Sequence, residues 1–156
     1  MKTILIILLT LFSATAVYAQ TNVQSIESLE DATVSISDID EQYGDALNAD
    51  PQLALFNGRE SDFVSSYRQL ISDISSQLNS NGFVFDGDTR MFTRIYFNSD
   101  GTIDHFYYSS DQAGFSTEQE QQFDQILTPF LNDYSFSQMA DKPFAQCSPV
   151  VYSSAK

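Results

Sequence analysis

The chain has 156 residues, with 21 acids against 7 Lys and Arg, one His, a formal charge of −14 and 42% apolar residues. That length is one domain's worth of chain, and so negative a field repels a polyanion, which argues against nucleic acid as a partner. A single cysteine excludes a disulfide-stapled mini-protein, and a polytopic membrane protein would need several apolar runs of about 20 residues.

The first nineteen residues read as a secretory signal. Lys2 precedes the apolar run Ile4 to Leu9 with Leu11 and Phe12, and Ser13 to Ala16 lead into Val17-Tyr18-Ala19, where a signal peptidase finds small residues. Thr10, Ser13 and Thr15 leave the run too short for a membrane span, which takes about 18 to 20 apolar residues. Cleavage after Ala19 removes Lys2 and no acid, leaving six bases against 21 acids, a net −15, in an exported chain of periplasmic or extracellular destination. Nineteen Phe and Tyr remain in it, enough rings to build a core without disulfides. In an oxidising compartment Cys147 has no internal partner, so it is either buried as a small hydrophobe or exposed and able to pair between chains.

Residues 20–58 form an acidic segment. Ten acids stand between Glu27 and Asp62 against Arg59 alone. Residues 21–34 offer few large apolar groups to offset the entropy of ordering and are expected to be a mobile lead. Asp38 to Asn48 carries Ile39, Tyr43 and Leu47 on one helical face, which predicts a short helix stopped by Asn48-Ala49-Asp50-Pro51.

The domain proper is expected over 59–156. Phe63, Tyr67, Leu70, Ile71, Ile74 and Leu78 recur at helical spacing over 60–79, with acids at the start and Asn79 to Gly82 as the stop. Phe83-Val84-Phe85 suggests a short strand. Thr89 to Phe97 and Thr102 to Tyr108 alternate about the turn Asn98-Ser99-Asp100-Gly101, which predicts a β-hairpin over 89–109. A capping box at Ser116 or Thr117 opens a second amphipathic helix over 117–134, in which Pro129 predicts a bend or a break into two. Phe144 to Tyr152 is a last strand, and Pro149, lacking an N–H, places it at an edge or a bulge. The expected fold class is α+β, an antiparallel sheet of three or four strands with two amphipathic helices packed on one face.

The search for chemistry yields no centre. One His and one Cys cannot assemble a zinc site, and Asp38, Asp40 and Asp45 fail as a calcium loop because Tyr43 stands where glycine is needed and Ala49 where the last carboxylate is needed. No nucleophile elbow and no phosphate-cradling glycine loop occur, and nothing singles out a pair of glycosidase-type carboxylates. His105 and Cys147 are the one conceivable base and nucleophile, although a histidine within an alternating strand is more often a packed or surface residue. No catalytic, cofactor-binding or metal residue and no cofactor is expected.

The order helix, hairpin, helix, strand resembles the carboxy-terminal domain of the TonB family in its broad sense. The likeness is carried by Phe92-Thr93-Arg94-Ile95-Tyr96-Phe97-Asn98-Ser99-Asp100-Gly101-Thr102-Ile103, by Phe123 to Tyr134, and by Phe136 through Lys142-Pro143 to Val151, and covers about residues 60–152. In that family the domain is periplasmic, ends a proline-rich anchored arm and pairs a strand edge with a receptor peptide. This chain departs from it in its cleavable start, the lack of a proline-rich linker and its negative charge, which remove the force-transmitting parts. The resemblance implies that adding a strand at an exposed edge is what remains. The style of the signal and Phe144-Ala145-Gln146-Cys147-Ser148-Pro149 also look like small exported proteins of Bacteroidetes-type bacteria, a likeness that assigns no activity.

The resulting expectation is a non-enzymatic periplasmic or secreted module that binds another protein along Phe144, Gln146, Ser148, Val150 and Tyr152. The rivals are a small-ligand or accessory domain with an aromatic-lined pocket, in which a hydrolase of unrecognised type could lie.

Overall fold

The predicted hairpin is the centre of the fold. In the computed structural model, which describes residues 20–31 and 35–153, β3 (Thr89–Phe97) and β4 (Ile103–Tyr108) pair antiparallel with Thr93 opposite Tyr108 and Ile95 opposite Phe106. The predicted signal peptide, 1–19, lies outside the described residues. At the hairpin tip the Asn98 amide donates to the Thr102 carbonyl at 2.9 Å and the Gly101 amide to the Asn98 carbonyl at 3.0 Å. Gly101 has φ +88°, and a Cβ there would collide with the carbonyl of Phe136, so turn hand and packing both require glycine.

β5 (Phe144–Tyr152) runs antiparallel along the whole of β3, from Phe97 opposite Phe144 to Thr89 opposite Tyr152. Two further strands come from the acidic segment. β1 (Asn22–Ser25) pairs parallel with β4, and β2 (Gly44–Asp45) pairs parallel with β5, giving the order β1-β4-β3-β5-β2. The class is α+β as expected, but the sheet is mixed and five-stranded rather than antiparallel with three or four strands. β1 contains one large apolar residue, Val23, so no alternation announced it; its place is set by main-chain pairing and by the Thr21 hydroxyl, which donates to the Ile103 carbonyl at 2.7 Å.

The expectation of a mobile lead over 21–34 is corrected for the residues described. Thr21, Val23, Ser25 and Leu29 are buried, and β1 continues into α1 (Ile26–Asp31). From α1 the Glu27 carboxylate accepts the Ser109 hydroxyl at 2.7 Å and the amide and hydroxyl of Ser110 at 3.1 Å each. Burial alone would raise this carboxyl, but those donors outweigh it and hold it below its ordinary value. They pin α1 to the start of a one-turn helix, α4 (Ser110–Ala113).

The helix expected over Asp38–Asn48 is also corrected. α2 (Ile36–Asp40) stops at Asp40, because the amides of Gly44 and Ala46 donate to the carbonyls of Pro143 and Ala145, each at 3.0 Å, instead of to carbonyls of their own segment. Phe83-Val84-Phe85 is a connection rather than a strand; its two rings pack with Phe115, at 5.4 and 6.3 Å between centroids.

α3 (Glu60–Ser80) and α5 (Thr117–Asn132) cover one face of the sheet through Phe63, Leu70, Ile74 and Leu78 and through Phe123, Leu127 and Leu131. The Ser116–Gln119 capping box is present, and α5 is one helix through Pro129, not two. On the opposite face Leu29, Tyr96 and Tyr107 form a smaller cluster, closed by Ile26, Ile36, Ile39 and Tyr43 from α1, α2 and the turn after α2.

Candidate functional site

The expected binding strand, β5, is paired along its inner side with β3 and along part of its outer side with β2. Only Phe144 and Ala145 lie opposite β2. Because the carbonyls of Pro143 and Ala145 point at β2, the alternation of a strand turns the main-chain groups of Cys147, Pro149 and Val151 to the same outer side. Among the described residues, the hydrogen bond seen there beyond β2 is a local one, from Gln146 Nε2 to the Cys147 carbonyl at 3.1 Å. Pro149 fits this phase, since its missing N–H falls where β3 needs none.

Four of the five side chains expected to meet a partner point instead at the helix layer. Phe144 is fully buried, 4.9 Å from Phe97 and 5.0 Å from Phe56 between ring centroids. The Ser148 hydroxyl is 2.8 Å from the Tyr67 hydroxyl. Val150 is buried, and Tyr152 stacks on Phe85 at 5.1 Å with no partner for its hydroxyl among the described residues. Gln146 alone reaches the outer rim. The side chains flanking the open edge on the other face are Cys147, Pro149 and Val151, all exposed, Val151 at 51%. The proline held the signal that finds them: an N–H-less residue must face away from β3, so the odd-numbered residues carry the edge.

Beside the end of β2 lies a cavity of about 320 Å³ lined by Asp40, Tyr43, Asp45, Leu47, Arg94 and Cys147, among others. Arg94 Nη1 sits 2.8 Å from Asp40 Oδ2 and 3.8 Å from Cys147 Sγ, and the Tyr96 hydroxyl donates to Asp40 Oδ1 at 2.7 Å. Although Cys147 is exposed at the edge, the groups around its Sγ partly desolvate the thiol and raise it, which Arg94 only partly counters, so at neutral pH it is a thiol rather than a thiolate. Burial likewise lowers His105, against the opposing pull of Asp104, and leaves the imidazole neutral at pH 7.

His105 and Cys147 are not brought together as nucleophile and base. His105 stands opposite Tyr96 with Nε2 3.6 Å from Asp104 Oδ2, whereas Cys147 stands opposite Arg94. Tyr43, Tyr96 and Tyr107 surround the imidazole at 6.2, 5.8 and 5.3 Å between centroids, and the Tyr43 hydroxyl donates to Asp104. Among the described residues no group of three or more His, Cys, Asp or Glu could hold a metal ion, and no helix is long and apolar enough to cross a membrane. The chain matches no family model, no curated protein and no solved structure.

Proposed function

We propose that this is an exported, non-enzymatic protein-binding module that accepts an extended segment of another protein along the outer edge of β5. The observation that carries the reading is the outward row of main-chain groups from Cys147 to Val151, which among the described residues has no strand beside it because β2 ends opposite Ala145. A strand added there gains main-chain hydrogen bonds, and its alternate side chains meet Cys147, Pro149 and Val151 on one face. The leader Met1 to Ala19 supports a periplasmic or extracellular setting, and the likeness to the TonB carboxy-terminal domain supports edge pairing as the mode. The raised thiol of Cys147 and the separate engagements of His105 and Cys147 favour binding over catalysis.

The cavity beside β2 supports a second reading, a small-ligand or accessory site. Among the described residues Tyr43 is its one aromatic lining residue and Arg94 its one lining cation, already paired with Asp40, so the cavity offers less than the edge does.

The two sides of β5 give the test. Val151→Pro removes an outward N–H, while Val150→Pro removes one committed to β3. In affinity capture from periplasm or culture medium, Val151→Pro is expected to lose the partner that the unaltered chain retains, with a melting temperature within a few degrees of it. Val150→Pro is expected to unfold. A partner held equally well by the folded Val151→Pro protein would sink the edge reading.

A further inference from the structure

Among the described residues, Gln20 alone precedes the interactions of the first strand. Gln20 is exposed, whereas Thr21 is 3% exposed, its amide donating to Asn132 Oδ1 at 3.3 Å and its hydroxyl to the Ile103 carbonyl at 2.7 Å. Val23, two residues on, is already part of the core. Gln20 borders a cavity of about 330 Å³ shared with Thr21, Asn22, Val23 and Thr128, and among the described residues none hydrogen-bonds its side-chain amide. Loss of even two residues from this end would remove the Thr21 anchors and begin to strip β1 from β4.

We propose that Gln20 is a modification site: released as the amino terminus by cleavage after Ala19, it closes on itself to a pyroglutamyl residue that caps β1. This rests on the export reading above. The unprotonated α-amino nitrogen attacks Cδ of its own side chain, and a C–N bond forms to give a five-membered lactam. The Cδ–Nε2 bond breaks, and Nε2 leaves as ammonia, taking a proton from the attacking amine. No oxidant, reductant or cofactor enters the balance. The structure leaves the step unobstructed, since the side-chain amide has no competing hydrogen bond among the described residues and the adjoining cavity has room for the ring. The Thr21 amide, which belongs to the peptide bond beyond the ring, keeps its bond to Asn132. A lactam has no primary amine for an aminopeptidase to grip, so the protein end is sealed one residue before its first buried side chain.

Intact-mass measurement on the protein purified from the periplasm or medium tests this. The expected mass is that of Gln20 to Lys156 less one ammonia, with stepwise amino-terminal sequencing blocked. The variant Gln20→Ala, secreted and purified in the same way, is expected to show the full mass of its cleaved chain, with no ammonia lost, and to sequence openly. A wild-type chain beginning at Gln20 with a free amine after prolonged incubation would overturn the cyclisation and leave the export reading standing. A chain still carrying residues 1–19 would overturn both.

Discussion

The two faces of the sheet are made by the same strands and closed by different chemistry. On the side of α3 and α5, phenylalanine rings meet directly: Phe56 and Phe63 at 4.7 Å, Phe97 and Phe136 at 4.6 Å, Phe97 and Phe144 at 4.9 Å. On the side of α1 and α2, tyrosines close the surface, two of them tied to acids, Tyr96 to Asp40 and Tyr43 to Asp104. The phenylalanine face derives most of its stability from area removed from water, and pH enters only at its rim, through Asp124. The tyrosine face depends on hydrogen bonds whose net worth is small and whose partners are charged. It also covers less, leaving Val151, Pro149 and Cys147 beside the open edge. The open edge of β5 therefore lies where the acidic segment stops short, not where the helices pack.

The largest expected effect separates the faces. Phe63→Ala, at a ring that is fully buried against Phe56 and Phe136, should cost about 3–5 kcal/mol in denaturant unfolding, the range for a phenylalanine cavity. Tyr96→Phe keeps the ring and deletes one hydrogen bond to Asp40, so it should cost about 1–2 kcal/mol. Equal losses from the two would break the comparison.

A smaller effect tests the rim of the phenylalanine side. There Tyr108 donates to Asp124 Oδ1 at 2.7 Å. Burial raises the Asp124 carboxyl, the Tyr108 hydroxyl pulls it back, and nearby Glu120 raises it again, to about 6. A folded value above the unfolded one means that the native state binds more protons between about pH 4 and pH 6, so this group lowers stability as pH rises through that window. Asp124→Asn should therefore stabilise the protein by about 1 kcal/mol at pH 7 after allowance for solvent screening, with the gain vanishing below about pH 4. A gain that persisted in acid would show that charge is not its cause.

The smallest effect is expected at Tyr152. Its hydroxyl is buried without a partner among the described residues, so Tyr152→Phe should be neutral or stabilise by up to about 1 kcal/mol. A clear loss would place a polar contact inside an otherwise apolar face.

The elements held together by their own periodicity are legible in the sequence. The helix expected over 60–79 is Glu60–Ser80, and the hairpin expected over 89–109 is β3 and β4. The capping box at Ser116 marks the start of α5. Within the candidate site, the span of β5 and its edge character near Pro149 are also legible. Of the five side chains expected at the edge, Phe144, Ser148, Val150 and Tyr152 face the helices, because hydrophobic alternation identifies the face that packs and not the main-chain groups that stay open. Phe144, Val150 and Tyr152 are apolar for the sake of the helices.

What local sequence determines here is therefore each helix and strand whose residues carry a repeating apolar stripe, and the tight turn that needs Gly101. Tertiary structure alone decided β1, β2, the end of α2 at Asp40 and the extent of the open edge. The reason is that Asn22–Ser25 and Gly44–Asp45 hold too few apolar groups to prefer one conformation by themselves. Their backbone donors and acceptors are completed by carbonyls and amides of β4 and β5, far along the chain, and a short polar segment takes the shape its distant hydrogen-bond partner imposes.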